Sequence, residues 1–234
     1  MLSTSHAAPA AGPAFIRQLA RLTDAEVPLS GPALAERLGR WIDWTRAVAL
    51  SRALDGTPPA AAPNAPGTLE AVDAECARVR AALTDAIHDD AGLAAPGAPA
   101  EADYAPFHQH YLARQRAMQA ATGRLRGQLR DRLAGVSAAM ARLAEVDAVM
   151  EMTLSPREHA LLATVPALLG ERFDRLRKTA RPAPDEAPGA PASIPPAPDA
   201  WLAAFRHDMR GMLLAELDVR FQPIDGLLAA LRSR

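Results

Sequence analysis

Alanine is the residue that most constrains the fold of this chain, because 54 of its 234 residues are alanine. Alanine has the highest helix propensity and buries little area per residue, so it favours helices that pack closely together. Aromatic residues make up only 4% of the chain. A β-sandwich or barrel would need more aromatic and β-branched residues than this. The composition therefore predicts an all-α protein.

Large apolar residues recur at helical spacing along most of the chain, and they predict a bundle of about seven helices. The expected helices span about 15–22, 30–49, 69–87, 106–134, 136–154, 155–176 and 199–222. Residues 224–231 are expected to form a last apolar turn or two.

Local signals set several of these predicted boundaries. Ser155, Pro156 and Glu158 combine a serine N-cap, a proline at the first helical position and a glutamate at the third, which is the pattern of a capping box. We therefore expect the sixth helix to begin here, with a kink at Pro166. The final helix is expected to begin after a cap at 199 and to bend or end at Pro223.

Three stretches rich in proline and alanine, 57–66, 92–102 and 182–198, lack periodic apolar residues and are predicted to be exposed linkers. We predict four parts: a disordered N-terminus over 1–12, a helical bundle over 13–181, a Pro-rich linker over 182–198 and a C-terminal helix over 199–234. That last helix is expected either to pack on the bundle or to dock onto a partner.

The sequence predicts a cytoplasmic protein, with a position beside the inner membrane as a variant. Residues 1–15 have no cationic segment and no continuous apolar segment, so a signal peptide is not expected. The best uncharged apolar run, 159–170, is too short to span a membrane. Cys76, the only cysteine, can form no disulfide within the chain. It lies in the apolar stripe of the third helix, so we expect a buried, unreactive thiol.

Motifs that would indicate an enzyme are absent from the sequence. The only lysine, Lys178, follows no glycine-rich turn, so it cannot belong to a phosphate-binding P-loop. On a helix His108 and His110 would diverge by about 200°, so they could not easily share a metal ion. We predict no enzyme, no cofactor and no metal site. An unrecognised enzyme would need a polar pocket around Asp147 or His108.

Asp147 departs from the apolar pattern of its predicted helix. It lies about 20° from Val136 on the helical wheel, inside the apolar stripe. We therefore expect an arginine partner from the fourth or sixth helix and a role in fixing the register of the bundle. Glu145 and Glu151 are expected at other angles, so no pair of carboxylates is predicted.

Four blocks of sequence resemble a known family: LARLTD at 19–24 followed by VP at 27–28, LGRWIDW at 38–44, YAPF at 104–107 with Tyr111, and ALLATVP at 160–166 with Phe173. They are similar to the uncharacterised proteobacterial domain-of-unknown-function family thirty-three forty-eight (DUF3348). The resemblance implies a bacterial protein of unassigned biochemistry. It also implies genes for coiled-coil membrane proteins and OmpA/MotB-type envelope proteins as neighbours, and it brings no catalytic residues.

Two functions remain open from the sequence. The first is a non-enzymatic helical adaptor or scaffold associated with an envelope-spanning assembly, with a homodimer as a variant. The second is a nucleic-acid-associated protein that uses arginine-rich helix faces. The residues expected to contact a partner are an apolar face of the final helix and arginines of the sixth: Trp201, Leu202, Phe205, Met209, Met212, Arg172, Arg175 and Arg177.

Overall fold

The computed structural model describes residues 14–23, 41–56, 68–89, 93, 102–180 and 199–233. These ranges contain seven α-helices and no strand, so the predicted all-α fold is confirmed. The predicted N-terminal segment 1–12 and the linker 182–198 lie outside the described residues. The helices are α1 (Ala14–Thr23), α2 (Trp44–Asp55), α3 (Leu69–His88), α4 (Ala105–Ala134), α5 (Ala138–Leu162), α6 (Val165–Thr179) and α7 (Ala200–Arg232).

The C-terminal helix α7 is the centre of the bundle. It packs most extensively against α4 and also lies against α1, α3 and α6. Fourteen of its residues are buried, and they extend from Trp201 to Leu231. A helix that is apolar around much of its circumference must be surrounded by other helices, and α7 meets that requirement within its own chain.

Helices α5 and α2 form an outer layer on the other side of α4. α5 packs against α4, and α2 packs against α5. Arg142 of α5 donates a hydrogen bond to the carbonyl of Gly56, and the guanidinium of Arg157 lies 5.4 Å from the ring of Trp41. The start of α2 therefore lies near the end of α5, and the two helices are antiparallel.

The predicted helix start at Ser155 is wrong, because α5 continues through Pro156 to Leu162. Proline lacks the N–H that would bond the carbonyl four residues earlier, which costs about 3 kcal/mol in a helix interior. That carbonyl belongs to Met152, whose side chain is 62% exposed, so water can reach this turn. Leu162, beyond the proline, is buried, and packing at this end favours continuation of the helix.

The kink predicted at Pro166 is also wrong. α5 ends at Leu162, the chain turns at Ala163 and Thr164, and Pro166 lies in the first turn of α6. A missing N–H costs nothing there, because the first N–H groups of a helix have no helical partner. The hydroxyl of Thr164 donates a hydrogen bond of 2.7 Å to the carbonyl of Leu161 and stabilises the turn.

Two further predicted boundaries differ in the structure. The helix expected over 30–49 is interrupted at Ile42 and Asp43; its first part, residues 30–40, lies outside the described ranges. The Asp43 carboxylate accepts a hydrogen bond of 2.9 Å from the amide of Arg46 and caps α2, which lowers the pKa of Asp43. At the other end of the chain, α7 continues through Pro223 instead of ending there.

The segment 92–102 is not exposed at the two positions that the structure describes. Leu93 and Ala102 are only 3% and 5% exposed. The carbonyl of Leu93 accepts a hydrogen bond of 2.7 Å from Arg206 of α7. Sequence composition alone did not reveal that Leu93 is anchored to the bundle.

Candidate functional site

The apolar face that the sequence offered as a partner anchor lies inside the protein. Trp201 and Leu202 are 8% and 5% exposed, and Phe205, Met209 and Met212 are at most 2% exposed. This face is therefore not available for docking in this conformation. It forms the core surface of α7 instead.

Aromatic side chains join α7 to α4 and α6. The ring of Phe205 lies 5.2 Å from that of Phe107 and 5.0 Å from that of Phe173, both in edge-on geometry. Trp201 contacts Phe173 in the same way at 5.1 Å. Edge-on pairs of this kind stabilise a core beyond the area that they bury.

The three α6 arginines predicted to bind a partner all interact within the chain. Arg172 donates a hydrogen bond of 2.9 Å to Asp208 of α7, and Arg175 donates one to the carbonyl of Leu22. Arg177 pairs with Asp174 at 3.0 Å and also lies over the ring of Phe173. Arg172 and Arg175 therefore hold α6 against α7 and α1, whereas both partners of Arg177 lie on α6 itself.

Asp147 has the arginine partners that its position in the stripe predicted. Arg126 of α4 donates two hydrogen bonds to its carboxylate, of 2.7 and 2.8 Å, and Arg130 donates a third of 3.1 Å. Such bidentate pairing is strong and directional. Because the side chains of Asp147 and Arg126 are only 12% and 15% exposed, the pair fixes how α5 sits on α4.

Glu151 belongs to the same cluster, which corrects the expectation that it would lie at a different angle. It pairs with Arg130 and lies 3.7 Å from Arg126. Residues four apart on a helix share a face, so Asp147 and Glu151 both reach the two arginines. Two cations and two anions thus compensate each other, and the cluster fixes the position of α5 on α4.

A second polar cluster surrounds Glu216, which is fully buried in α7. Its carboxylate accepts hydrogen bonds from the Tyr111 hydroxyl and, at 2.9 and 3.0 Å, from the Gln115 amide. Arg220 lies 3.6 Å away. Burial raises the pKa of Glu216, although the hydrogen bonds from Tyr111 and Gln115 oppose this shift. Burial, with the nearby Glu216 charge, also raises the pKa of Tyr111 well above 10.

The sequence reasoning missed Glu216, although a usable signal was present. Glu216 follows Met209 by seven residues and Met212 by four, which places it on the apolar face of the final helix. The criterion that identified Asp147 would therefore have identified Glu216 as well.

A cleft of about 460 Å³ opens between α4, the junction of α5 with α6, and α7. Tyr104, the N-cap residue of α4, lines one wall together with His108 and Arg116 of α4, and His159 lies on α5. Tyr104 donates a hydrogen bond to the carbonyl of Pro166 across the end of the cleft, and burial raises its pKa to about 12. A Cβ at Gly170 would lie 3.0 Å from the Tyr104 ring, so glycine allows this close approach.

A smaller cavity of about 230 Å³ continues from the cleft and shares Gln119, His159 and Arg220 with it. Arg220 marks the boundary between the two. It pairs with Glu158 at 3.3 Å and Glu216 at 3.6 Å, and its buried Nε has no hydrogen-bond partner.

The sequence named two residues, Asp147 and His108, around which an enzyme would need a polar pocket. His108 lines the cleft, as an enzyme site would require, but Asp147 is fully paired elsewhere. The high pKa values of Tyr104 and Tyr111 keep both phenols protonated near neutral pH. Within the described ranges, no three His, Cys, Asp or Glu side chains come close enough to bind a metal ion.

His108 and His110 both lie on α4, so the predicted divergence of the two rings applies. His110 accepts a hydrogen bond of 3.4 Å from Arg114, whereas His108 contacts the ring of Tyr104. Cys76 is buried, as expected, and burial raises its pKa, with the charges of Asp73 and Glu75 adding to the shift. A protonated, buried thiol is a poor nucleophile.

Comparison with known proteins identifies a family but no function. A family model described as "Protein of unknown function (DUF3348)" matches residues 1–233. No curated protein and no solved structure matches the chain. Across the part of the chain that the structure describes, no helix is both long and apolar enough to cross a bilayer.

Proposed function

Since the chain belongs to the DUF3348 family, which carries no assigned activity, we propose from its structure that it is a non-enzymatic helical adaptor or scaffold. The proposal rests on one observation: the exposed large apolar side chains of the described residues all lie on the outer helices α2 and α5. They are Trp44, Leu54, Leu143, Met152 and Leu161, which are 83, 50, 37, 62 and 64% exposed.

The outer layer is also the part of the bundle with the least internal support. Among the described helices, α2 packs extensively only against α5, and Ala53 is its only buried residue. Exposed apolar side chains cost free energy in water and often mark surfaces that bind other proteins. The layer therefore supports docking better than the buried face of α7 does.

Leu143 and Leu161 define the surface that we propose as the docking site, and we call it the α5 stripe. The two residues are 18 positions apart, which is five full turns, so they lie on the same face of α5. At about 1.5 Å per residue they are separated by about 27 Å along the helix. A surface this long and narrow fits an amphipathic helix of a partner.

The proposed partner is a protein with such a helix. A coiled-coil membrane protein or an OmpA/MotB-type envelope protein, which the family resemblance suggests as neighbours, would provide one. The chain would then act in the cytoplasm at the inner membrane. Binding of a second copy through the α5 stripe is the variant that the experiment below separates.

Nucleic-acid binding is the weaker alternative. Arg172 and Arg177 of the predicted basic face pair with Asp208 and Asp174, and Arg126 of α4 pairs with Asp147. A protein binds nucleic acid by placing Lys and Arg side chains against phosphates, which releases the counterions of those phosphates. Arginines that are already paired with carboxylates contribute less to this binding. A chain with net charge −1 also has no overall attraction for nucleic acid.

The test is co-purification of the full chain from its native cells with the double variant Leu143→Glu/Leu161→Glu. Met152→Glu is the matched control, because Met152 is nine residues from each leucine and lies on the opposite face of α5. Thermal melting by circular dichroism confirms that all three proteins are folded. Sedimentation of the purified proteins measures self-association separately.

We expect one coiled-coil protein to be enriched with the wild type and with Met152→Glu and to be lost with the double variant. Retention of that protein by the double variant would contradict the proposal. Self-association that only the double variant abolishes would assign the α5 stripe to a homodimer. Nucleic acid retained equally by all three proteins would favour the alternative.

A further inference from the structure

We propose that the cleft between α4, α6 and α7 binds a small organic anion that has a carboxylate or phosphate head and a short apolar body. This site is separate from the α5 stripe and does not depend on the adaptor role. The first argument is the charge of the wall. Arg116, Arg220, His108 and His159 line the cleft, and no Asp or Glu is among its described lining residues. Arg220 is paired with Glu158 and Glu216, so among these lining residues Arg116 supplies the uncompensated positive charge.

Arg116 is the side chain best placed to recognise the head group. It is exposed at the mouth of the cleft and forms no ion pair with another described residue. Gln119 lies one turn further along α4, on the same wall. A guanidinium beside an amide donor and two imidazoles is a set of groups that recognises oxyanions.

Arg220 provides a second donor at the cleft. Its side chain is only 9% exposed, yet its Nε has no hydrogen-bond partner. A buried donor left without a partner costs free energy. An oxyanion or an ordered water at the inner end of the cleft would supply the acceptor that the described protein atoms do not.

The remaining wall suits an apolar body. Leu112 faces the cleft from α4, and Leu162, Pro166 and Ala167 face it from the junction of α5 with α6. The volume of about 460 Å³ falls within the usual range of small-molecule sites, about 300 to 1,000 Å³. A cationic mouth and an apolar wall together select an amphipathic anion over a bare inorganic ion.

The experiment is calorimetric titration of the full chain with hexyl phosphate, hexanoate, inorganic phosphate and neutral hexanol. Arg116→Gln removes the proposed anchor. Arg124→Gln is its control, because Arg124 lies two turns further along α4 and does not line the cleft. Ala167→Phe fills the cleft without a change of charge, and Ala120→Phe, on exposed α4 surface outside the cleft, is its control.

We expect saturable binding of hexyl phosphate and hexanoate at one site, with hexanol and inorganic phosphate at least tenfold weaker. Arg116→Gln should weaken both anions by about 10-fold or more, as expected for a charged hydrogen bond, and Ala167→Phe should abolish their binding. The two controls should match the wild type within about twofold.

Three results would overturn the proposal. One is the absence of saturable binding by either amphipathic anion. Another is equal affinity for hexanol and hexanoate, which would show that charge is not recognised. The third is a loss of affinity in Arg124→Gln as large as in Arg116→Gln, which would show a diffuse charge effect. None of these results bears on the α5 stripe, so the two proposals fail separately.

Discussion

Replacing Phe205 by alanine tests whether α7 is the core of the bundle. Phe205 is completely buried, and its ring contacts those of Tyr104, Phe107 and Phe173 at centroid distances of 6.1, 5.2 and 5.0 Å. A tethered helix that only docks onto partners would contribute nothing to folding through this side chain. A central helix would lose its best-packed contact.

The expected cost follows from these contacts. Truncating a buried Phe to Ala usually costs about 3 to 5 kcal/mol, because apolar burial is lost and a cavity remains. Edge-on pairs such as those with Phe107 and Phe173 are worth about 0.5 to 1.5 kcal/mol each, and the range for truncation already includes losses of this kind. We therefore expect Phe205→Ala to lie at the upper end of that range and to lower the free energy of unfolding by about 4 to 5 kcal/mol.

Urea denaturation followed by circular dichroism measures this change. Phe205→Leu keeps most of the volume and should cost about 1.5 kcal/mol. Leu161→Ala, on the exposed face of α5, should change stability by at most about 0.5 kcal/mol. A loss below about 1 kcal/mol in Phe205→Ala would refute the central position of α7.

Three further predictions concern the polar groups and the thiol. Asp147→Ala should cost about 3 kcal/mol in urea denaturation, because Arg126 and Arg130 lose a largely buried carboxylate; an unchanged midpoint would show that the cluster does not fix the register of α5. Burial raises the pKa of Glu216 above 4.5. The contribution of protonated Glu216 to the free energy of unfolding is therefore complete below that value, and it is lost as the pH rises through the folded-state pKa. Glu216→Gln, which does not titrate, should therefore gain stability relative to the wild type as the pH rises from about 4.5 through the folded-state pKa of Glu216, whereas a difference that stays constant with pH would contradict the raised pKa. Cys76, which is 5% exposed with a raised pKa, should react with a disulfide reagent only after urea unfolds the protein, and rapid labelling of the native chain would contradict its burial.

Helix positions governed by local periodicity could be predicted from the sequence. The third helix was expected over 69–87 and spans Leu69–His88, and the fourth was expected over 106–134 and spans Ala105–Ala134. In both helices apolar residues at helical spacing lie between clear breaks. The amphipathic pattern in these segments therefore agrees with the tertiary packing.

Boundaries at proline could not be predicted in the same way. Ser155, Pro156 and Glu158 match the pattern of a helix start, but α5 runs through them. The cost of proline inside a helix is offset here by the packing that continuation gains at Leu162 and at the Glu158–Arg220 ion pair. That gain depends on α7, which is distant in sequence.

The polar clusters show a similar division. A charged residue in an apolar stripe predicts a buried partner, and this reasoning found the arginines around Asp147. The same criterion applies to Glu216, but it could not have named Tyr111 and Gln115, because those partners lie about 100 residues away on another helix. The cleft was equally hidden, since its walls come from α4, α5, α6 and α7.

The most direct test of the central claim, that α7 is the core of its own bundle, is amide hydrogen exchange measured by mass spectrometry. We expect the amides between Phe205 and Phe221 to exchange as slowly as those of α4, through global unfolding alone. Rapid exchange across α7 while α4 stays protected would contradict the claim, because it would show a helix that is free of the bundle.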